Sequence, residues 1–203
     1  MRCRGVAEGS HGVLVRMGKV FVITGPSGVG KGTLISRLLD RIAELELSVS
    51  ATTRQPREGE VDGRDYRFLR PEEFDRLVRE GAFLEHATYS GNRYGTLRSD
   101  VEKRLDAGKS VVLEIEVQGA RQVRETRPEA VPIFIAPPDP ADLRRRLEGR
   151  GTDDPEAIDR RLRTAKRELE AEGEFEHVVV NDEVEHAAAE LERIVRGELR
   201  LGG

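Results

Sequence analysis

The segment at residues 25–33, which reads GPSGVGKGT, constrains the fold more than any other part of the chain. It directly follows the apolar run VFVIT at residues 20–24, which predicts a buried strand, and a helical pattern begins at Lys31. A glycine-rich turn between a strand and a helix directs consecutive backbone N–H groups around a phosphate, and a lysine there reaches the β- and γ-phosphates. The segment therefore predicts nucleotide binding in an α/β fold. The alternative is a glycine-rich turn that carries a lysine by chance.

One position departs from the usual phosphate-binding pattern. Gly32 follows the lysine where the pattern has Ser or Thr, and the hydroxyl comes one residue later, at Thr33. Glu114 lies at the carboxyl end of a second predicted strand, where α/β folds place ligands. We therefore treat Thr33 and Glu114 as the candidate contacts of Mg²⁺, the glutamate acting through bound water.

Length and composition favour one domain in a reducing compartment. The 203 residues suffice for a sheet covered by helices, and Cys3 is the only cysteine, so no disulfide can form within the chain. The net charge of −4 argues against nucleic acid as a partner, and no apolar stretch approaches the roughly 20 residues that cross a membrane. Residues 1–17 lack a secretory pattern and predict a disordered extension, with Met17 as a candidate start. We expect a cytoplasmic protein.

Predicted strands and helices alternate along most of the chain. The strands cover residues 19–24, 111–115, 131–136 and 178–180, and the helices cover 31–44, 101–107, 140–148, 155–172 and 184–199. This alternation predicts an α/β fold, a parallel sheet with helices on both faces. Residues 50–98 interrupt it with short strands, turns and a helix that begins at Pro71. We therefore expect a small mixed α/β subdomain inserted between core segments 18–49 and 99–203.

The inserted block carries a second group of polar residues. It reads TTRQPR at residues 52–57, and Tyr66, Glu85 and the YGT run at residues 94–96 follow. Two arginines can hold the oxygens of a phosphate dianion, and two phenols can donate further hydrogen bonds. The alternative is a solvated basic loop whose tyrosines fill a small core, with nearby carboxylates as ion-pair partners.

With these motifs the chain resembles guanylate kinases over residues 18–200. The phosphate loop, Thr-Thr-Arg-x-Pro-Arg, a tyrosine twelve residues after the first arginine, and Tyr-Gly-Thr are together more specific than the loop alone. The resemblance implies a P-loop NTPase-type parallel sheet flanked by helices, with the insert as the GMP-binding subdomain and a helical lid at about residues 146–165. It also implies Mg²⁺-dependent transfer of the ATP γ-phosphoryl group to GMP, with dGMP as a further candidate acceptor.

The resemblance divides the candidate residues between two substrates. For ATP it implies Gly25, Pro26, Ser27, Gly28, Val29, Gly30, Lys31, Gly32, Thr33 and Asn181. For GMP it implies Ser50, Arg54, Arg57, Tyr66, Glu85, Tyr94, Thr96, Glu114 and Glu116. Asn181 could equally be a turn residue. Glu116 stands where the family usually has aspartate, so its reach toward GMP or magnesium is open.

Glu85 is the candidate that selects the base. Guanine presents two donors side by side, the ring N1–H and the exocyclic amine, and an ionised carboxylate accepts both. Adenine presents a lone pair at N1, which would face a negative oxygen; a polar mismatch of this kind discriminates by on the order of 10⁴-fold. Thr96 could donate its hydroxyl to the guanine carbonyl oxygen. The alternative for Glu85 is an ordinary surface carboxylate on a strand.

Phosphoryl transfer depends on positioning and positive charge more than on acid–base chemistry, because the acceptor is already an anionic phosphate oxygen. Lys31, Mg²⁺ and mobile arginines can stabilise the developing charge. By resemblance two of these arginines are Arg150 and Arg161, and Arg54 of the insert is a further catalytic candidate. Composition alone does not select among the many arginines between residues 144 and 163, which could also be solvated helix charges.

Other functions stay open on the sequence. A related nucleoside monophosphate kinase is one, although Glu85 with Thr96 favours guanine. A non-catalytic guanylate kinase-like binding module usually has a damaged phosphate loop, whereas this chain keeps Lys31 and Arg54. A GTP-hydrolysing switch would carry Asn-Lys-x-Asp, which the sequence lacks. The oligomeric state, monomer or dimer, is not decided by the sequence.

Overall fold

The computed structural model describes residues 18–89, 91–148 and 155–201. The predicted extension at residues 1–17 and the candidate Arg150 lie outside these ranges. The strands are β1 (Val20–Thr24), β2 (Leu45–Leu47), β3 (Ala51–Thr52), β4 (Arg67–Phe68), β5 (Phe83–Tyr89), β6 (Asn92–Leu97), β7 (Ser110–Glu114), β8 (Val131–Ala136) and β9 (His177–Val180). The helices are α1 (Lys31–Arg41), α2 (Pro71–Arg79), α3 (Arg98–Asp106), α4 (Val117–Thr126), α5 (Pro140–Glu148), α6 (Pro155–Leu169) and α7 (Val184–Leu201). None of these helices is long and apolar enough to cross a bilayer.

Five strands form a central parallel sheet in the order β2-β7-β1-β8-β9. Successive side chains of its central strand β1 point to opposite sides of the sheet, and helices cover both sides, so the strand is buried on both faces. Phe21 and Ile23 pack on one face with residues of α1 and α7, while Val20 and Val22 pack on the other with Val101 of α3. The predicted parallel sheet with helices on both faces is confirmed.

The arrangement of β1 and β7 positions the candidate site. The two strands are parallel neighbours, and Ile23 of β1 lies opposite Glu114 of β7. Both strands end at the same edge of the sheet, so the glycine-rich loop after β1 and the Glu114–Glu116 segment emerge side by side. This carboxyl edge is where open α/β sheets bind their ligands.

Four short strands form a second sheet in the order β4-β3-β6-β5. β6 pairs antiparallel with both β3 and β5, whereas β3 and β4 are parallel. Helix α2 covers this sheet through Phe74, whose ring stacks on that of Phe83 at a centroid distance of 4.6 Å. The sheet and α2 have the mixed α/β content predicted for the insert, and its boundaries at residues 50 and 98 stay a prediction.

Several elements differ from the sequence-based prediction. Helix α3 begins at Arg98 instead of residue 101, and α6 ends at Leu169 instead of residue 172. The first helix ends at Arg41 instead of residue 44, because Ile42 adopts extended backbone and Leu45–Leu47 then pairs with β7 as an edge strand. Helix α4 was not predicted. It contains Gly119, a poor helix former, and its apolar contacts come from a narrow face of small or β-branched residues, so its periodic signal is weak.

Candidate active site

A cleft of about 500 Å³ opens between the carboxyl edge of the central sheet and the second sheet. Many of the residues that the sequence assigned to the two substrates or to catalysis line this one space. They are Ser27, Gly28, Gly30, Lys31, Gly32 and Thr33 on the loop side, Ser50, Tyr66, Glu85 and Tyr94 on the side of the second sheet, and Glu114, Glu116 and Arg161 between them. The cleft can therefore hold a triphosphate and a second ligand facing each other.

The glycine-rich loop has a backbone that side chains would obstruct. Gly25 and Gly30 have φ angles of 142° and 100°. A Cβ on Gly25 would lie 2.2 Å from the backbone oxygen of Ile135, on β8. The Nζ of Lys31 folds over the loop and donates a hydrogen bond to the Gly25 oxygen at 2.6 Å, with the Pro26 oxygen at 3.4 Å. These contacts give the loop the concave shape that a phosphate needs.

Asn181 supports the loop from behind. It follows β9, is 2 % exposed, and donates from Nδ2 to the Val29 backbone oxygen at 2.7 Å. A Cβ on Gly30 would lie 2.6 Å from the same Nδ2, so the amide is packed directly against the loop. The contact that the structure gives Asn181 is therefore with the protein, and its nearness to the adenine of ATP stays a prediction.

Gly32 and Thr33 lie in the first turn of α1, on the floor of the cleft. Among the described residues, a Cβ on Gly32 would meet only Glu114 Oε1, at an ordinary contact distance of 4.0 Å. Thr33 is exposed and lines the cleft. The Glu114 side chain opens to the cleft, but the cleft lies deep between protein walls. The resulting loss of bulk water raises the pKa of Glu114, opposed by the Lys31 charge and reinforced by Glu116.

Glu85 is buried in the wall of the second sheet. Only 5 % of the residue is exposed, and Thr96, on the neighbouring strand β6, donates its hydroxyl to Glu85 Oε1 at 2.8 Å. Burial raises the pKa of Glu85 to about 7, although the hydrogen bonds from Thr96 pull it down. The interpretation of Glu85 as an ordinary surface carboxylate is wrong. A buried carboxylate held by one hydroxyl still has lone pairs to offer a ligand.

The two arginines predicted to bind phosphate differ in their contacts: the Arg54 guanidinium is paired with a carboxylate, whereas Arg57 contributes its backbone N–H to the same carboxylate. The Arg54 guanidinium lies 5.2 Å from the Tyr66 ring centre, and its Nη2 donates to both carboxylate oxygens of Glu60 at 2.8 and 2.9 Å. Arg57 is exposed, and its backbone N–H donates to Glu60 Oε2 at 2.7 Å. The Arg54 hydrogen bond lowers the pKa of Glu60, followed by that of the Arg57 amide. Tyr66 and Tyr94 meet edge to face at 6.1 Å on the cleft wall.

Helix α6 brings a cation and a carboxyl group to the loop. Arg161 Nε donates to the Ser27 hydroxyl at 3.1 Å, and the Ser27 backbone N–H donates to Glu168 Oε2 at 3.2 Å. Glu168 is 7 % exposed and also shares a hydrogen bond with Glu116. Burial together with this contact raises the pKa of Glu168 to about 9, so the pair holds a proton at neutral pH.

Sequence reasoning missed Glu168. Glu60 was one of several loop carboxylates that the alternative interpretation of the basic loop gave as ion-pair partners, and the structure pairs it with Arg54. Glu168 could have been found from the helical pattern, because Arg161, Ala165 and Glu168 share one face of α6 and Ala165 is buried. A charged residue on the buried face of a helix indicates a polar partner inside the protein.

Comparisons with known proteins show the family to which the chain is similar. The family model described as guanylate kinase matches residues 17–198. The chain is 56 % identical to a guanylate kinase of Rubrobacter xylanophilus over 182 residues, which cover 90 % of this chain and 95 % of that protein. It is 54 % identical to a guanylate kinase of Streptomyces coelicolor, over 85 % of this chain and 88 % of that protein.

A solved structure gives the same answer for the fold. The crystal structure of guanylate kinase from Anaplasma phagocytophilum matches with a TM-score of 0.73 at 35 % identity, covering 91 % of this chain and 87 % of that one. The match includes the parallel sheet flanked by helices that carries the cleft. The chain therefore belongs to the guanylate kinase family, whose known reaction is transfer of the γ-phosphoryl group of ATP to GMP.

Proposed function

We propose that the two sides of the cleft bind the two substrates, with the ATP phosphates on the glycine-rich loop and GMP against the second sheet. The observation that carries this assignment is the position of Glu85, a buried carboxylate bonded to Thr96 that lines the same cleft as Lys31. Glu85 accepts the N1–H and amine donors of guanine, which fixes both the base and the direction in which GMP lies.

The phosphate of GMP then lies toward Tyr66, Tyr94 and Arg54. The two phenols reach the cleft directly, and the guanidinium stacks behind Tyr66. Arg57 joins them from the exposed loop by turning its side chain inward. A phosphate dianion at this position gains charge-assisted hydrogen bonds from arginine and neutral ones from tyrosine. Ser50 lines the same wall and contributes a further hydroxyl to the base.

Positive charge on the loop side stabilises the transferring group. Lys31 and Arg161 both line the cleft beside the loop, and the phosphoryl group passes between them and the acceptor oxygen of GMP. The loop N–H groups, released from competition with water, hold the non-transferring phosphates. Arg150 is proposed as a further cation on the resemblance to the family alone, because it lies outside the described residues. The boundaries of the insert and of the lid at residues 146–165 are proposals on the same footing.

The residues beside the loop fit a magnesium ion. Mg²⁺ takes oxygen ligands, keeps several waters, and is usually held by one or two carboxylates plus the substrate phosphates. Glu114 offers a carboxylate next to Gly32, and Thr33 offers a hydroxyl on the same floor. When bound with ATP, the ion neutralises charge on the β- and γ-phosphate oxygens. Glu114 would hold it through water, and Thr33 would supply the hydroxyl that position 32 lacks.

The assignment is tested by a substrate panel. ADP release is measured with MgATP and each of AMP, GMP, dGMP, CMP, UMP and dTMP as acceptor. We expect GMP to be turned over preferentially, with dGMP next, because the proposed contacts are with the base and the phosphate. Preferential turnover of AMP would contradict the role of Glu85. Equal use of all acceptors would contradict base recognition by this wall altogether.

A further inference from the structure

Helix α4 of the core contacts strand β5 of the second sheet through one side chain, which forms the main-chain hydrogen bonds that a neighbouring strand would otherwise form. β5 is an edge strand, so its outer main-chain groups pair with no other strand of the described residues. Gln122 of α4 fills that place at His86. Its Oε1 accepts from the His86 N–H at 3.1 Å, and its Nε2 donates to the His86 oxygen at 2.9 Å. One side chain thus satisfies both main-chain groups of the residue next to Glu85.

Gly119, three residues earlier and therefore on the same face of α4, makes room for the Glu85 carboxyl group. A Cβ there would lie 2.5 Å from Glu85 Oε2 and 3.2 Å from its Cδ, closer than packed atoms approach. The glycine is not required by its backbone, which is helical, and glycine inside a helix is less favourable than alanine. What the position requires is space for the carboxyl group.

The carboxyl group has little freedom to give way. Its Oε1 is bonded to Thr96 at 2.8 Å, its Oε2 faces Gly119, and the whole residue is buried. A side chain at position 119 would therefore break the Thr96 bond or turn the carboxylate out of the plane in which it meets a base. The backbone of the next residue is fixed at the same time by Gln122.

We infer that α4 positions the base-reading carboxylate, with Gly119 and Gln122 as specificity-determining positioning residues that contact no substrate themselves. The inference rests on the proposed role of Glu85 and deepens it. Because α4 follows directly on the Glu114–Glu116 segment, this α4–β5 contact (Gly119 and Gln122 with Glu85 and His86) also fixes the base relative to the phosphate loop. A displacement of the order of 1 Å at such a position is enough to lose much of the benefit of orientation.

A double-mutant cycle tests the role of Gly119. Gly119→Ala is expected to raise the KM for GMP about tenfold while the KM for ATP stays within about twofold, because the added methyl group displaces the Glu85 carboxyl group and leaves the phosphate loop untouched. In a Glu85→Ala background, where the obstructed oxygens are gone, the same substitution is expected to change the KM for GMP less than about twofold. Equal effects in the two backgrounds would overturn the inference, since a general disturbance of α4 is additive.

Inosine monophosphate provides a second readout for Gln122. Hypoxanthine keeps the N1–H of guanine but lacks the amine, so the ratio of kcat/KM for GMP to that for inosine monophosphate reports the placement of the second carboxylate oxygen. Gln122→Met, which keeps the length of the side chain, is expected to lower this ratio about threefold or more. Glu125→Ala, on the exposed side of the same helix, is the matched control and should leave it unchanged. An unchanged ratio in Gln122→Met would count against the inference.

Failure of this inference can be told apart from failure of the proposed function. Thermal unfolding of each variant shows whether it is folded at the assay temperature. If the wild type prefers AMP, or Glu85→Ala keeps full preference for GMP, the role of Glu85 falls. If the wild type prefers GMP and Glu85→Ala loses that preference, the role of Glu85 stands. An additive double-mutant cycle would then contradict only the role of the α4–β5 contact.

Discussion

The carboxyl group of Glu168 accepts a hydrogen bond from the backbone N–H of Ser27 at 3.2 Å, which ties helix α6 to the phosphate loop. The same carboxyl group is bonded to Glu116, next to the proposed GMP site. A hydrogen bond between two carboxyl groups requires one proton, and the buried position of Glu168 favours the neutral form. The protonated side chain of Glu168 therefore connects the phosphate loop, the proposed GMP side of the cleft and helix α6.

Replacement of Glu168 by glutamine is expected to stabilise the protein at alkaline pH. The amide oxygen can accept from Ser27 and the amide N–H can donate to Glu116, so both bonds survive without an ionisable group. The folded-state pKa of about 9 lies above the ordinary value of 4.5, so the contribution of Glu168 to stability is fully present below about pH 4.5 and is lost as the pH rises toward 9. We expect Glu168→Gln to unfold a few degrees above the wild type at pH 8, since about 1 kcal/mol shifts the midpoint by roughly 2–4 °C.

The measurement is the unfolding midpoint of both proteins at pH 5, 6.5 and 8. The gain should shrink toward pH 5, because the cost of keeping the wild-type carboxyl group protonated in the folded state falls as the pH approaches its ordinary pKa of 4.5. Glu170→Gln, at an exposed position two residues later, is the control and should follow the wild type at every pH. A constant difference across the range would show that Glu168 does not carry the proton.

Glu60 is expected to hold the phosphate-binding arginine in place before GMP arrives. It accepts from Arg54 Nη2 and from the Arg57 backbone N–H, so its removal frees both parts of the loop. Ordering a long side chain on binding costs about 0.5–1.5 kcal/mol. Glu60→Ala should therefore raise the KM for GMP roughly three- to tenfold, with the KM for ATP and kcat little changed.

Steady-state kinetics with GMP as the varied substrate measure this effect. Glu58→Ala, at an exposed position in the same loop, is the matched control. A fall in the KM for GMP in Glu60→Ala would reverse the interpretation, because it would mean that the carboxylate competes with the GMP phosphate for Arg54.

The sequence could predict what depends on local pattern and on recognisable motifs. The strand before Gly25 and the parallel sheet follow from apolar periodicity and from the alternation of strands and helices. Most residues of the cleft follow from the two motifs and from the family resemblance that these motifs carry. The helical pattern of α6 places Glu168 on a buried face but does not identify its partner Ser27. Gln122 carries no such signal, and its partner His86 is likewise distant in sequence and met only through packing. Helix α4 was missed for a related reason: Gly119 weakens the local helical signal but is needed for a tertiary contact.

The protonation state of Glu85 should make GMP use pH-dependent. Its pKa of about 7 means that the carboxyl group is ionised only as the pH rises through neutrality, and only the ionised form accepts from both guanine donors. We expect kcat/KM for GMP to rise between about pH 6 and pH 8. In Glu85→Gln the amide N–H groups face the guanine donors, so the preference for GMP over AMP should fall by about 10²-fold or more.

Comparison of the two pH profiles isolates this effect. The phosphate of GMP also titrates near pH 6, but it does so equally in both enzymes. The difference between the profiles therefore reports Glu85 alone, with kcat/KM for GMP as the measured quantity. Parallel profiles for the wild type and Glu85→Gln would show that another group controls the pH dependence.

Two glycines of the phosphate loop should respond in opposite ways to alanine. A Cβ on Gly25 would lie 2.2 Å from the Ile135 oxygen at a φ of 142°, so Gly25→Ala forces β8 and the loop apart. A loss of about 2 kcal/mol or more and of most activity is expected. Gly32 lies in the first turn of α1, where the nearest atom to a Cβ is Glu114 Oε1 at 4.0 Å, so Gly32→Ala should fold normally and gain up to about 1 kcal/mol. Thermal unfolding of the two variants measures the contrast, and a destabilised Gly32→Ala protein would contradict it.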